Sequence, residues 1–378
     1  RFSYGCGDFG CNIIYTAMSA FLLFSVPASW ASTPKLVYVF ITYNLVSTVI
    51  YTAINVPYSA LNALMTQDPY ERSVLSIFRN LLATAGTLTI NTFTLPLVEY
   101  FGNNAAAWTK TFVVFGFVSI AAFLCTFFGT KERVRAAENE GEVQTEDVPF
   151  VTGIKALFKN KYWVIVTVAS FVVFFVIIMY AMGNVYYCQY VLYDMGQYSW
   201  VSNSISIAQF AVMFVTPAFM KKFGKTAVYE AGMVVMGLGF LGFAVLGGSS
   251  TIVMIICNVL KGCGVGMAGG MALGMVADTI TYGTKKTGID TVGLGNAGVS
   301  AAQKIGLGLG TAVFGWVLNG AGYDGSLDAQ GIAQPESVST AINFLYNWLP
   351  FIMVIAIFVL MVILYHCERD LKKMEAAE

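Results

Sequence analysis

Charged residues are scarce in this chain. They make up 11% of its 378 residues, whereas soluble globular domains average about 25%. Hydrophobic residues account for 57% and the mean hydropathy is +0.69, so a water-soluble fold of this size would lack the polar surface to cover itself. The aromatic content of 15% excludes an intrinsically disordered chain, which would be poor in aromatic residues. The composition therefore predicts a protein that folds in a lipid bilayer.

Residues for metal, redox and nucleophilic chemistry are also few. His366 is the only histidine, and the seven cysteines form no Cys-x-x-Cys pair. We interpret the cysteines as reduced, apolar packing residues and exclude histidine-based catalysis or metal binding. The formal net charge is zero, which gives no indication of a nucleic-acid partner. We expect neither an enzyme nor a bound cofactor.

Ten apolar runs are long enough to cross the hydrocarbon core as helices, which takes about 20 residues. Runs of this length do not fit barrel strands, and the backbone in lipid must satisfy its own hydrogen bonds. The sequence therefore predicts an all-α membrane protein with ten visible spans. The predicted spans are residues 8–27, 36–64, 75–98, 108–128, 163–190, 201–219, 228–247, 251–277, 293–318 and 340–366.

The distribution of basic residues predicts the orientation of these spans. With the N-terminus on the cytoplasmic side, 16 of the 21 basic residues lie in cytoplasmic segments, and only Lys35 and Lys110 lie in external ones. Lys and Arg accumulate on the cytoplasmic side of membrane proteins. We therefore expect a multi-pass protein of the cell's inner (cytoplasmic) membrane, with both termini in the cytoplasm.

One cytoplasmic segment, residues 130–162, is much longer than the others. A long hydrophilic loop between two hydrophobic halves is typical of two-bundle transporters. We predict an N-terminal bundle of four spans at residues 1–129, a central loop at 130–162 in which residues 153–161 form a surface helix, and a C-terminal six-helix bundle with a short cytoplasmic tail at 163–378.

Three basic residues fall inside predicted spans, where a charge is costly and usually faces a cavity or a partner. Arg79 lies near the inner end of its helix, so its side chain either reaches the cytoplasmic surface or faces the interior. Lys304 is about 16 Å deep, at 1.5 Å per residue, and we expect it to face a cavity or a carboxylate. For Lys261 a structural pair and a cavity-lining role stay open.

Two segments, Gly264–Gly269 and Gly293–Gly298, match the pattern G-x-G-x-x-G. Neither follows a strand in a βαβ unit, so dinucleotide binding is not expected. Small residues in transmembrane helices let backbones approach closely, and we predict close helix packing at both segments, with helix bending as a second possibility.

Several segments together resemble one family, the glycoside–pentoside–hexuronide:cation symporters, which is the melibiose permease family within the major facilitator superfamily. The resemblance implies twelve helices in two six-helix bundles around a central sugar cavity, with coupling to Na⁺, Li⁺ or H⁺. The segments are YGCGDFGCN at 4–12, YTAINVPY at 51–58, TQDPYER at 66–72 followed by Arg79, KNKYW at 159–163, ADTITYG at 277–283 and QKIG at 303–306.

The resemblance also implies site residues. Asn12, Asn55 and Arg79 match positions at the sugar site, where the melibiose permease has two aspartates in place of the asparagines. Tyr51 matches a tyrosine of the cavity and Lys304 a lysine of the cavity on helix eleven. The hydroxyl of Thr52 matches a cation-site ligand, and the side-chain oxygen of Asn55 is a second neutral ligand for a hard cation.

The chain departs from the family pattern after Ala20. The next residues, Phe21–Phe24, resemble the end of the family's third helix, so the end of helix one, all of helix two and the start of helix three are expected to be absent. Helices one and three run in the same direction, and the join therefore preserves the topology. In this family helix two carries the paired aspartates that bind the coupling cation.

Our leading hypothesis is a monomeric secondary active transporter that imports a sugar or glycoside, such as a galactoside, xyloside or glucuronide, with Na⁺ or H⁺ by alternating access. The alternative is a truncated, non-transporting remnant or sensor of the same family. A membrane-embedded lipid-modifying enzyme is less favoured, because the densest acidic run, residues 138–147, has no metal-ligand spacing.

Overall fold

The computed structural model describes most of the chain, and within the described residues the protein is helical and contains no strand. Two compact units, residues 1–141 and 142–378, divide the molecule. The expected all-α architecture is confirmed. The residues left undescribed are 1, 27–29, 51–52, 55–57, 59–64, 66–68, 131–148, 248–249, 330–331 and 376–378, which include most of the predicted central loop.

The first unit is built around its N-terminal helix, which packs against the third and fourth helices. This first helix passes through Ala20 and Phe21, the predicted join, without a break. The hydroxyl of Ser119 donates to the carbonyl oxygen of Gly10 across 2.9 Å and ties the fourth helix to the first. The helices are α1 (Phe2–Phe24), α2 (Ser32–Asn44) with a π-helical continuation (Leu45–Ile50), α3 (Pro69–Tyr100) and α4 (Ala105–Gly129).

The second unit begins with a short helix, α5 (Phe150–Lys159), close to the predicted surface helix, and continues with long helices. Its last span is interrupted by a π-helical segment, Phe344–Trp348. The remaining helices are α6 (Lys161–Tyr190), α7 (Tyr198–Phe223), α8 (Lys225–Leu246), α9 (Thr251–Thr287), α10 (Val292–Gly320), α11 (Gly325–Ala329), α12 (Glu336–Asn343), α13 (Leu349–Leu364) and α14 (Cys367–Glu375).

Eight helical segments of the described chain are long and apolar enough to span a membrane. They coincide with the last eight of the ten predicted spans, so the protein is a multi-pass membrane protein. The first two predicted spans are not among the eight, and the count of ten stays a prediction. The eight segments are Phe78–Tyr100, Ala106–Gly129, Lys161–Tyr190, Met195–Phe223, Lys225–Leu246, Thr251–Thr287, Val292–Gly320 and Glu336–Met374.

Polar side chains and glycine mark the ends of several long helices. The side chain of Asn104 accepts from the backbone N–H of Ala107 across 2.8 Å at the start of α4. The side chain of Asn160 does the same for Trp163 in the first turn of α6. Helix α9 ends at Gly288, which adopts φ 69°, a left-handed conformation that glycine tolerates best. These capping residues mark where one helix ends and the next begins within long apolar stretches of sequence.

Both glycine motifs lie where helices pack closely, as predicted. A Cβ atom added to Gly264 would lie 2.5 Å from the carbonyl oxygen of Gly232 on α8, and one added to Gly298 would lie 2.6 Å from the Trp163 ring on α6. Contacts below 3.0 Å are closer than side chains tolerate, so these positions admit glycine and little else. The expectation of close helix packing is confirmed at Gly264 and Gly298, whereas a Cβ at Gly269 or Gly293 would have no neighbour within 4 Å.

Candidate functional site

An ion pair joins α1 and α3 inside the first unit. Nε of Arg79 donates to Oδ2 of Asp8 across 2.6 Å. The Asp8 side chain is 10% accessible and the Arg79 side chain 27%, so the pair is largely enclosed while one edge of the guanidinium can meet solvent or ligand. The sequence left open whether Arg79 reaches the surface or faces the interior. In the structure its charge is balanced by a carboxylate on a neighbouring helix, as an intramembrane charge requires.

Two tyrosines lie beside this ion pair. The Cζ atom of Arg79 lies 5.0 Å from the centre of the Tyr58 ring, and Tyr58 stacks on Tyr4 with ring centres 4.9 Å apart. The hydroxyl of Tyr58 donates to the carbonyl oxygen of Tyr4. The ring of Tyr58 can approach α1 because residue 7 is glycine, where an added Cβ would lie 2.3 Å from Cε2 of that ring. The aromatic face and the carboxylate together fix the guanidinium.

Asn12 lies one helical turn beyond Asp8 on α1, and both residues therefore lie on the same face of the helix. Its Nδ2 atom donates to the carbonyl oxygen of Asp8 across 2.8 Å. The first unit thus brings together a carboxylate, a guanidinium and a phenol ring, with the Asn12 amide one turn further along α1. Such a set offers hydrogen-bond donors, acceptors and an apolar ring face within a small region. Of the predicted sugar-site residues, Arg79 contacts the Asp8 carboxylate, whereas Asn12 bonds to the Asp8 backbone and its place in the sugar site stays a prediction.

The structure does not describe the other predicted site residues of the first unit. Tyr51, Thr52 and Asn55 lie outside the described residues. Their predicted roles in sugar and cation binding stay predictions.

Lys304 lies in the second unit on the exposed side of α10. Polar side chains that recur at helical spacing, Asn296, Ser300 and Thr311, share this side and are also exposed. Exposed apolar residues of α10, such as Ile305 at 60% and Trp316 at 68%, lie on a different side. Within the described part of the chain no carboxylate pairs with Lys304. Lys304 thus lies among exposed polar side chains of α10, and its predicted position in a cavity stays a prediction.

Lys261 is completely buried in the second unit. Its Nζ atom lies 4.0 Å from the ring centre of Phe243, 4.3 Å from that of Tyr346 and 4.7 Å from that of Phe240. The same atom donates to Oδ1 of Asn347 across 3.2 Å. Aromatic faces attract a cation through their quadrupoles, and the amide oxygen supplies the hydrogen bond. Of the two alternatives for Lys261, the structure supports a structural pair.

A second ion pair lies between α8 and α9. Nζ of Lys225 is 2.8 Å from each carboxylate oxygen of Asp278. Their side chains are 33% and 22% accessible, so the pair is partly open to solvent. It connects the first residue of α8 to the C-terminal third of α9. Asp278 belongs to the segment ADTITYG, which carries part of the family resemblance.

Sequence reasoning did not assign Asp8, Tyr58 or Asn347 to a site. Asp8 had a detectable signal, because it is an acidic residue within the first predicted span, where charges are rarely placed without function. Tyr58 lies in one of the segments that carry the family resemblance. For Asn347 the sequence holds no comparable signal, because its contact with Lys261 depends on how two distant helices pack.

Comparison with known proteins defines the class. A family model described as MFS/sugar transport protein matches residues 10–369. The chain therefore belongs to this family, within the major facilitator superfamily, whose members are transporters and not enzymes.

Two curated relatives illustrate the sequence similarity. An isoprimeverose transporter of Lactiplantibacillus pentosus is 30% identical over 344 residues, which are 89% of this chain and 68% of the relative. The inner membrane symporter YicJ of Escherichia coli K12 is 25% identical over 301 residues, which are 79% of this chain and 64% of the relative. The chain thus spans about two thirds of the length of these relatives.

Solved structures show the same fold at low sequence identity. The major facilitator superfamily transporter FucP, in an outward conformation, is similar with a TM-score of 0.54 and 16% identity, over 95% of this chain and 83% of that one. A double tryptophan variant of XylE is similar with a TM-score of 0.52 and 14% identity, over 96% and 79% of the two chains.

Proposed function

We propose that this protein is a secondary transporter that carries a sugar or glycoside across the inner membrane by alternating access, coupled to Na⁺ or H⁺. The family match, the relatives named as an isoprimeverose transporter and a symporter, and the predicted charge bias with cytoplasmic termini support this proposal. The observation that carries it is the partly accessible Asp8–Arg79 pair in the first unit, with Tyr58 beside it and Asn12 one turn further along α1.

The chemistry of this group suits a polyhydroxylated ligand. The guanidinium of Arg79 has five N–H donors in a planar fork, and the amide of Asn12 offers both donors and acceptors. The carboxylate of Asp8 accepts hydrogen bonds from hydroxyl groups, and these are stronger than bonds to a neutral oxygen. In this proposal Tyr58 supplies a ring face for the apolar side of a sugar. The role predicted for Lys304 from the family resemblance stays a separate prediction.

The coupling ion is part of the proposal. The resemblance implies that the cation-binding aspartates belong to a helix that this chain lacks at its Ala20–Phe21 join, and Thr52 and Asn55 would supply only neutral oxygens. A second candidate function therefore follows from the unbroken α1. In that case the protein binds its ligand but does not accumulate it, as a remnant or sensor of the family would.

Uptake and binding measurements separate the two functions. The purified chain is reconstituted into liposomes, and uptake of labelled xylosides, galactosides and glucuronides is followed under an inward Na⁺ gradient, an inward H⁺ gradient or no gradient. Accumulation above the external concentration under one gradient supports coupled transport. Saturable binding without accumulation supports the sensor, and neither binding nor uptake of any of these ligands would reject both.

Two variants test the assigned residues. Arg79→Lys keeps the positive charge but removes the planar fork, so we expect at least a roughly tenfold weaker apparent affinity, since a bidentate bond to Arg is not replaced by Lys. Lys110→Gln removes an exposed cation of α4 as the control and should leave uptake unchanged. Equal uptake in wild type and Arg79→Lys would remove Arg79 from the ligand site.

A further inference from the structure

An apolar groove of about 440 Å³ runs between α5, α6 and α10 in the second unit. We call it the α5 groove, and its walls include Phe158, Trp163, Thr167, Ala301 and Ile305. The two polar groups among these side chains are already satisfied. Nε1 of Trp163 donates to the carbonyl oxygen of Gly295 across 3.1 Å, and Oγ1 of Thr167 donates to the carbonyl oxygen of Trp163 across 2.7 Å. Water would find few partners there, so the groove suits an apolar occupant.

Helix α5 has two distinct faces. Phe150 and Phe158, on its apolar face, are 66% and 68% accessible. Lys155 and Lys159, one turn apart beside that face, are also exposed. A short helix with exposed aromatic residues and adjacent lysines lies in the plane of a membrane surface, with its apolar side among the acyl chains. The charge distribution of the chain predicts that this surface is the cytoplasmic one.

Charge complementarity identifies the occupant. Helix α5 contains no acidic residue, and Lys161 at the start of α6 adds a third exposed cation at the same level. The cytoplasmic leaflet is negatively charged and attracts basic clusters close to the membrane. A groove of this volume falls in the range of small-molecule sites, about 300–1,000 Å³.

We propose that α5 and the α5 groove form a binding site for an anionic phospholipid. One acyl chain occupies the groove between α6 and α10, and the phosphate of the headgroup lies against Lys155 and Lys159. The bound lipid fills the space under α5 and holds this surface helix against α10. The site is independent of the proposed transport function, because none of the residues assigned to sugar or cation binding lines the groove.

Photo-crosslinking of the full chain in lipid nanodiscs tests the site. The probes are phosphatidylglycerol and phosphatidylcholine, each with a diazirine in one acyl chain, and mass spectrometry locates the adducts. We expect adducts of phosphatidylglycerol to concentrate on lining residues of α6 and α10, with roughly tenfold preference over phosphatidylcholine. Adducts spread evenly over the accessible apolar surface, or equal labelling by the two lipids, would overturn the proposal.

Paired variants separate the headgroup from the chain. Lys155→Gln/Lys159→Gln should abolish the preference for phosphatidylglycerol, whereas Lys221→Gln/Lys222→Gln, two exposed lysines at the end of α7, should preserve it. Ala301→Phe fills the groove and should remove the localised adducts of both lipids, while Ala218→Phe, an exposed alanine of α7 outside the groove, should not. If Lys155→Gln/Lys159→Gln keeps the preference for phosphatidylglycerol, the lysines do not bind the headgroup. If Ala301→Phe keeps the localised adducts, the groove does not bind the acyl chain.

Discussion

The side chain of Lys261 donates from Nζ to Oδ1 of Asn347, 3.2 Å away, at the π-helical segment of the last span. Both side chains are completely buried. The widened turn also carries Tyr346, whose ring faces the same ammonium. π-Helical turns inside longer helices often accompany functional or strained positions. Here the segment brings an amide and an aromatic ring to one buried cation, and so fixes α9 against the last span.

A double-mutant cycle at Lys261 and Asn347 tests this contact. Asn347→Leu leaves a buried ammonium without its hydrogen-bond acceptor, and we expect a loss of about 3 kcal/mol in the free energy of unfolding. Lys261→Met leaves only an unsatisfied amide and should cost about 1–3 kcal/mol. The double variant should be more stable than Asn347→Leu alone. Additive losses in thermal unfolding in detergent would show that the two side chains do not interact.

The Asp8–Arg79 pair makes a similar prediction in the first unit. Arg79→Gln leaves a largely enclosed carboxylate unpaired, and we expect a loss of roughly 1–3 kcal/mol. Asp8→Asn/Arg79→Gln should recover part of this loss, because neither charge remains. Cys6 and Cys11 on α1 are buried, so in a background where the other five cysteines are replaced by serine, their reaction with a thiol-reactive dye reports unfolding of this unit. A double variant less stable than Arg79→Gln would contradict the pairing.

The first glycine motif provides a matched pair of substitutions. Gly264→Ala places a Cβ 2.5 Å from a backbone oxygen that cannot rotate away, and overpacking of this kind typically costs about 1–3 kcal/mol. Gly269→Ala adds the same atom where nothing lies within 4 Å, and should be neutral or stabilising by up to about 1 kcal/mol, since alanine favours helices. Gly264→Ala should therefore lower the melting temperature, whereas Gly269→Ala should leave it unchanged or raise it. Equal shifts would mean that α8 and α9 are not closely packed at Gly264.

The stability of the loop between α10 and α12 is expected to depend on pH. The Tyr190 hydroxyl donates to Oδ2 of Asp328, and this bond, with further ones from Gln334 and Tyr323, holds the pKa of the Asp328 carboxyl below its ordinary value. A lowered carboxyl pKa contributes stability that is complete above the unfolded value of about 3.9. This stability is lost as the pH falls through the lowered value.

Thermal unfolding of wild type and Asp328→Asn from pH 7 to pH 3 measures this dependence. We expect the wild type to be more stable at pH 7, because a charged acceptor forms the stronger hydrogen bond, and the difference to shrink below about pH 4. Tyr323→Phe removes one of the donors to Asp328. In this background, Asp328→Asn should still lower the stability at pH 7, but by less than it does in the wild type. A difference that stays constant down to pH 3 would show that the Asp328 charge does not stabilise the loop.

Much of the fold could be predicted because single apolar runs encode it. The eight spans from residue 78 onward depend on the length of each run and on local caps such as Asn160 and Gly288, and all these signals are local. The close packing at Gly264 and Gly298 was also predictable, since small residues in membrane helices have few other uses. The candidate site was predicted only in part. Arg79 and Asn12 were identified from the family resemblance, but the ion pair between Arg79 and Asp8 was not.

The sequence by itself determined that this protein is a multi-pass, all-helical membrane protein of a transporter family, because hydrophobic length and composition are properties of the chain that need no partner. Only the tertiary structure decided what each intramembrane charge does. Arg79 pairs with Asp8, 71 positions away, Lys261 is enclosed by rings and an amide from two other helices, and Lys304 stays exposed on a polar stripe. A buried charge is stabilised by the groups that helix packing brings within a few ångströms of it. These groups are far apart in the sequence, so the sequence alone does not identify them.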